Sequence, residues 1–158
     1  MTKMNSYTIG IDPDSNKSGI AVYKNGKLIH CKSMTLMNFM DLIIGIKKDG
    51  HIHAHIENVC GNNARFAKSG VKNAKAATAV NRSIGMVQQA QQELERMLDH
   101  LGIGYTRHRI SSAWKSQAEK SLFEKATGWT GPSNEDARSA SYFGFIGLGV
   151  RNGNATPC

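Results

Sequence analysis

The sequence predicts an α/β fold, a mixed sheet of three antiparallel strands followed by parallel strands, with helices on both faces. Three short strand-like segments joined by turn residues open the chain. Helical and strand-like segments then alternate as far as residue 148. The length of 158 residues suits one domain with its own core. We expect residues 1–150 to form that single domain and residues 151–158 to be a disordered tail.

The opening meander is marked by Asn25-Gly26, because both residues tolerate the positive φ of a tight hairpin. Apolar spacing then predicts a short helix and a fourth strand. The predicted elements are strands Tyr7–Ile11, Gly19–Tyr23 and Leu28–Met34, helix Leu36–Ile46 and strand His51–Glu57.

A polar loop over Asn58–Asn73 follows the fourth strand. Beyond it we expect two further helices, a short strand between them, and a last helix after the Gly131-Pro132 break. The predicted elements are helix Ala74–Leu101, a strand around Tyr105–Arg107, a helix capped by Ser111-Ser112 through about Lys125, and helix Asn134–Leu148.

The composition favours a reduced, intracellular protein with a polyanionic partner. The formal net charge is +8, and nucleic acid is the commonest partner of such a chain, although a basic protein can also be merely soluble. The three cysteines are far apart and odd in number, which suggests neither a disulfide framework nor a zinc clip. The N-terminus has no apolar signal core, and no apolar run approaches the roughly 20 residues that span a bilayer. A cytoplasmic location is therefore expected.

Three carboxylates, Asp12, Glu57 and Asp136, lie where an element meets a loop. In an open α/β sheet, sites form outside the strand ends, and converging carboxylates attract a hard cation such as Mg²⁺ or Mn²⁺. Each also has a local explanation. Asp12 fits turn chemistry before Pro13, Glu57 fits an exposed strand end, and Asp136 fits a capping box with Ser133 as N-cap.

The order of motifs resembles that of RuvC-type Holliday junction resolvases, in the RNase H-like (retroviral integrase) superfamily. The resemblance covers about residues 7–149. It rests on Ile9-Gly10-Ile11-Asp12-Pro13 with Ser18-Gly19-Ile20-Ala21-Val22, then Ile56-Glu57-Asn58-Val59, a polar segment over Asn62–Asn81, a long helix ending in Leu101-Gly102-Ile103, and Asp136-Ala137-Arg138-Ser139-Ala140. Trp114-Lys115 resembles the Trp-Lys of phage-type members.

The resemblance implies a magnesium-dependent, structure-selective endodeoxyribonuclease that resolves four-way junctions by paired nicks and leaves 5′-phosphates. Asp12, Glu57 and Asp136 would hold two Mg²⁺ ions, for which Mn²⁺ can substitute, with Lys115 or Lys120 facing the phosphate. The family's usual fourth ligand corresponds to Ser133, a poor one, so Glu135, Asn134 or Asp14 is expected to supply the oxygen.

Three rival functions stay open. One is a branched-DNA, flap or RNA–DNA hybrid nuclease of the same superfamily, and another is a junction-binding protein with a weakened active site. The third, an actin-like ATPase or sugar kinase, needs two such domains and a longer chain, and the sequence has no Walker-type loop. The resemblance suggests a phage or mobile element as the source, and a bacterial or phage-infected host cytoplasm as the location.

The segment after Glu57 is basic and free of acids up to Arg82, which favours contact with a DNA backbone over a merely solvated loop. Cys60 stands where the family often has an aromatic residue, and Phe66 is expected to stack on an unpaired base instead. The predicted DNA-binding residues are Arg65, Phe66, Lys68, Lys72, Lys75, Arg82 and Lys120.

The long helix has a heptad-like apolar seam interrupted by Gln91. Its first interpretation is the face that covers the sheet, and its second is a homodimer interface around residues 76–101, as in family resolvases. His51, His53 and His55 alternate along the fourth strand, too spread for one metal ion, and are expected to form a polar face partly open to solvent. Small residues on the last helix, from Ala137 to Gly147, should let it pack closely on the sheet.

Overall fold

A computed structural model of the protein describes residues 2–61 and 74–150. Five strands form one mixed sheet in the order β3-β2-β1-β4-β5, in which β1, β2 and β3 pair antiparallel, and β1, β4 and β5 pair parallel. The elements are β1 (Asn5–Asp12), β2 (Ser18–Lys24), β3 (Lys27–Met34), α1 (Leu36–Lys47), β4 (Gly50–Glu57), α2 (Ala74–His100), β5 (Gly104–His108), a short 3₁₀ helix (Gln117–Glu119), α3 (Lys120–Thr127) and α4 (Glu135–Val150). The predicted fold class is confirmed. The tail predicted over 151–158 lies outside the described residues.

The hairpin between β2 and β3 turns at the predicted dipeptide. Asn25 and Gly26 both have positive φ, of 50° and 87°. The side-chain oxygen of Asn25 also accepts a hydrogen bond from the backbone N–H of Ser6, 2.9 Å away. The turn is therefore fixed to the start of β1, which sets the register of the meander.

Each face of the sheet carries its own core. Ile9 and Ile11 of β1 pack with α1 and α2 on one face, whereas Ala21 and Tyr23 of β2 pack with α3 and α4 on the other. Side chains alternate along a strand, so Gly10 and Asp12 face α4. The second face is therefore the one that meets the polar strand ends.

Helix α4 lies unusually close to β1 and β2 because small residues face each other, as predicted. A side chain at Gly10 would overlap the carbonyl oxygen of Ala140, and one at Gly19 would overlap the carbonyl of Asp136. Tyr23 donates a hydrogen bond to the Ser141 carbonyl at 2.7 Å on the same face. This approach brings the start of α4 over the end of β1, since Gly19 is the register partner of Asp12.

Helix α2 covers the sheet only with its C-terminal half. Leu94 and Leu98 are buried, whereas Val80 is 43% exposed. The apolar seam of α2 therefore covers the sheet only over its later turns.

Although α2 has 27 residues, no described helix, α2 included, is long and apolar enough to cross a membrane.

The helix predicted from Ser111-Ser112 to Lys125 is wrong in its first half. Residues 109–116 form a loop, here called the Lys115 loop, and α3 begins only at Lys120. Ser111 does act locally, since its hydroxyl accepts a hydrogen bond from the Ala113 N–H. Trp114 has a φ of 65°, which a right-handed helix cannot contain.

Candidate active site

Two buried carboxylates lie side by side at the carboxyl ends of neighbouring parallel strands. Asp12 is the last residue of β1 and Glu57 is the last of β4, one position beyond the register pair Ile11 and Ile56. They are 4% and 2% exposed. Neither is therefore the exposed turn or strand-end charge that its local sequence also allowed.

The two carboxylates are close enough to share a hydrogen bond, so one of them takes up a proton readily. Burial, followed by the hydrogen bond to Asp12 and its charge, raises the pKa of Glu57 to about 8. The charge of Lys115 and the backbone N–H of Ser111 act in the opposite direction. Glu57 Oε1 has no hydrogen-bond partner among the described residues. Such a pair, rich in unshared oxygen lone pairs, is a strong attractor for a cation.

The ammonium group of Lys115 supplies positive charge at this pair. Its Nζ lies 3.2 Å from Asp12 Oδ2 in an ion pair, although without the alignment of a hydrogen bond. Partial burial acts to lower the pKa of Lys115, but the charges of Asp12 and Glu57 outweigh it and the pKa is raised. Lys115 is therefore a cation at neutral pH, directed at the carboxylates.

Asp136 lies in the first turn of α4 and belongs to the same electrostatic cluster. Burial and then the charges of Asp12 and Asp14 raise its pKa. The predicted capping box is wrong, because Asn134 is the N-cap and its side-chain oxygen accepts from the Ala137 N–H at 2.8 Å. Asp136 is thus not used as a cap, and its carboxylate is available for another role.

The candidates for a fourth metal ligand differ in availability. Asn134 is occupied by its cap and by a hydrogen bond to Ser33. One oxygen of Asp14 accepts from the Ser15 N–H at 2.6 Å, and its charge acts on Asp136 more strongly than that of the exposed Glu135. Between Asp14 and Glu135, Asp14 is therefore better placed to supply the fourth ligand.

The donor set suits a hard divalent cation, because every side chain but Lys115 offers carboxylate oxygen and Glu57 Oε1 is buried without a partner. Within residues 2–61 and 74–150, no three acidic, histidine or cysteine side chains converge tightly enough to hold a single ion as they are placed. Asp12 is the common member of the cluster, because its charge acts on both Glu57 and Asp136.

Only part of the predicted DNA-binding set can be located. Arg65, Phe66, Lys68 and Lys72 lie outside the described residues. Lys75 and Arg82 are exposed on the N-terminal half of α2, and Lys120 is half-buried at the start of α3. The basic charge of the described set thus lies on two separate helices.

Gln91, which interrupts the seam of α2, has a structural role that sequence reasoning missed. It is 1% exposed and holds the turn directly after Glu57. Its oxygen accepts from the Cys60 N–H at 3.0 Å, and its amide donates to Asn58 at 3.0 Å and to Glu95 at 2.8 Å. The sequence does carry a signal for this role, because a single amide side chain within an apolar stripe needs hydrogen-bond partners when it is buried.

Arg138 is the second residue that sequence reasoning missed. It is 4% exposed, and it hydrogen-bonds the backbone of the Lys115 loop through the carbonyls of Trp114 and Lys115. An arginine on a helix face otherwise made of small and aromatic residues is the sequence signal for such a contact.

The histidines of β4 form a face that is partly open to solvent, as predicted. His51 is exposed, but His55 is 4% exposed and packs against Gly147 of α4. Its Nδ1 lies 2.8 Å from Nε2 of His108, within hydrogen-bond distance. The face closes towards His55 because α4, which approaches the sheet closely, covers this part of the strand.

No family model and no curated protein matches the chain. Among solved structures, RuvC of Thermus thermophilus is similar, with a TM-score of 0.61 and 12% identity over 96% of this chain and 99% of that one. The structure of T. thermophilus RuvC in complex with a Holliday junction substrate is similar as well, with a TM-score of 0.57 and 11% identity over the same shares of the two chains. The chain therefore has the RuvC-type, RNase H-like fold.

Proposed function

We propose that this protein is an endodeoxyribonuclease that resolves four-way (Holliday) DNA junctions by paired nicks. The observation that carries the proposal is the buried pair Asp12 and Glu57 at the ends of β1 and β4, faced by Lys115 and electrostatically coupled to Asp136. The similarity to the junction-bound RuvC structure supports branched DNA as the substrate class. The net charge of +8 suits a polyanionic substrate.

Asp12, Glu57 and Asp136 are proposed to hold two Mg²⁺ ions, or Mn²⁺ in their place. These three carboxylates would hold the ions together, with Asp14 or Glu135 as a further ligand. When bound, such ions supply a more acidic water as nucleophile and charge stabilisation for the departing 3′ oxygen. The products would carry a 5′-phosphate and a 3′-hydroxyl.

The remaining roles fall to the basic side chains. The Lys115 ammonium, already held at the carboxylates, is placed to stabilise negative charge that develops on the scissile phosphate. Arg65, Lys68, Lys72, Lys75, Arg82 and Lys120 would contact the backbone of the junction arms, and Phe66 would stack on an unpaired base. Contacts of this kind position the substrate without reading its sequence.

The protein is also proposed to form a homodimer through the long helix, around residues 76–101. The N-terminal half of α2 carries exposed apolar side chains, with Val80 43% and Met86 52% exposed. A two-fold dimer would present two active sites to a junction of matching symmetry, which is what paired nicking requires.

The substitution Asp12→Asn tests the site. It keeps the size of the side chain but removes a charge from the centre of the cluster. Cleavage of a four-way junction in Mg²⁺ is expected to fall below detection, while junction affinity measured with chelator changes by less than about threefold. Unchanged cleavage would refute the site assignment.

A substrate panel tests the specificity. Matched junctions, flaps, RNA–DNA hybrids and duplexes are compared at one enzyme concentration, and the junction is expected to be cut fastest. Faster cutting of flaps or hybrids would assign the protein to a different nuclease of the same fold. Tight junction binding without any Mg²⁺-dependent nicking would identify a junction-binding protein, the outcome that Ser133 in place of a ligand would favour.

A further inference from the structure

Arg138 makes an unusual set of contacts for a buried cation. Within the described parts of the chain, its hydrogen-bond acceptors are uncharged. Nε donates to the Trp114 carbonyl at 2.9 Å, Nη2 to the Lys115 carbonyl at 2.7 Å, and Nη1 to the Ser133 carbonyl at 3.1 Å. The Ser133 hydroxyl is a weaker fourth acceptor at 3.4 Å. One guanidinium group on α4 thus holds the Lys115 loop and the segment that leads into α4.

The bonded loop has a backbone conformation that a bulky residue rarely adopts. Trp114 has a φ of 65°, in the left-handed region. Its ring is buried against Phe123, Tyr142 and Phe145, with centroids 5.3 to 5.6 Å away. Such a conformation persists only where the surroundings hold it, and here the ring is fixed by packing while the carbonyl is fixed by Arg138.

The consequence of this conformation lies at the active site. Trp114 is followed directly by Lys115, whose ammonium meets Asp12 at 3.2 Å. The bonds of Arg138 to two successive carbonyls therefore fix the part of the chain that presents a cation to the carboxylates.

We propose that Arg138 is a positioning residue, which directs Lys115 at the active-site carboxylates by holding the strained backbone at Trp114. This inference rests on the proposed function for its effect on cleavage, but not for its effect on Lys115 itself. Arginine suits the role, because its rigid planar fork offers a separate nitrogen to each of the three carbonyls, whereas all the donors of lysine sit on one nitrogen.

The first test needs no catalysis. The rate at which an amine-acylating reagent labels Lys115, measured by mass spectrometry on the whole folded protein, reports how firmly its ammonium is held. Arg138→Gln and Arg138→Lys are both expected to raise that rate at least threefold. The control Tyr23→Phe removes a comparable buried hydrogen bond to α4, at Ser141, and should leave the rate unchanged. Equal labelling of the Arg138 variants and the control would overturn the proposal, whether or not the protein is a nuclease.

The second test is a double-mutant cycle on single-turnover cleavage of a four-way junction. Arg138→Lys is expected to slow cleavage about tenfold or more at saturating DNA, with little change in junction affinity. In a Lys115→Ala background, the same substitution should have less than a twofold effect, because there is no amine left to position. A tenfold loss in both backgrounds would show that Arg138 acts independently of Lys115 and would overturn the proposal. If the wild-type protein cuts no substrate, the proposed function fails while the labelling result still decides on Arg138.

Discussion

Replacing Glu57 by Gln is expected to stabilise the metal-free protein at pH 8. The folded protein raises the pKa of Glu57 from 4.5 to about 8, chiefly by burying it and by placing it beside Asp12. A carboxyl group with a raised pKa favours folding while it is protonated, and that contribution is lost as the pH rises from 4.5 through 8. At about 1.4 kcal/mol per pKa unit, the loss at pH 8 is roughly 4 kcal/mol. The amide of Gln can still donate to Asp12 but carries no charge.

The assay is urea denaturation in chelator at pH 5 and at pH 8. Wild type should lose stability between the two pH values, whereas Glu57→Gln should lose much less. Glu95→Gln is the matched control, because the folded protein shifts the pKa of Glu95 in the opposite direction from that of Glu57. Burial acts to raise the pKa of Glu95, but its hydrogen bonds to Arg107 and Gln91 outweigh this and lower it. That variant should therefore be less stable than wild type at pH 8.

Added Mg²⁺ completes the experiment. Because the ion would neutralise the buried charge, it should stabilise wild type at pH 8 and stabilise Glu57→Gln much less. If Glu57→Gln is less stable than wild type at pH 8 in chelator, or if the difference between them does not change with pH, the reasoning about the buried pair is wrong.

Two further substitutions test how the site is positioned. Gly10→Ala should destabilise the protein by about 3 kcal/mol in urea denaturation, because the new methyl group would overlap the carbonyl of Ala140. The control Gly45→Ala has open space around the new methyl group, so it should be neutral or slightly stabilising. An equal effect of the two would contradict the close approach of α4. Gln91→Leu should cost about 1–3 kcal/mol, because it leaves the part-buried Cys60 N–H and the Asn58 side chain without this partner. Gln89→Leu, at an exposed position, should cost less than about 0.5 kcal/mol. Comparable losses would mean that Gln91 does not hold the turn.

The fold was predictable because its signals are local. Alternation marked the strands, Asn25-Gly26 marked the hairpin, and the small residues of α4 marked a close packing face. Asp12 and Glu57 could be placed for the same reason, since parallel neighbours bring their carboxyl ends to one edge of a sheet.

The failures have non-local causes. Ser111-Ser112 looks like a helix start, but Arg138, more than 20 residues away, bonds carbonyls that a helix would need for itself. The choice between Ser133 and Asn134 as N-cap of α4 depends on the contact of Asn134 with Ser33 of β3, since neighbouring polar residues offer the same local chemistry. No local pattern could assign Lys115 its carboxylate partner, because they meet only in the folded chain.

A synthetic four-way junction with each strand labelled in turn shows whether the protein is a junction resolvase. The protein is incubated with the junction in Mg²⁺ and, in parallel, in chelator. We expect symmetric nicks in two opposed strands, with ligatable 5′-phosphate ends, in Mg²⁺ only. A folded protein that binds the junction but leaves all four strands intact in Mg²⁺, or that nicks them equally in chelator, would contradict this expectation.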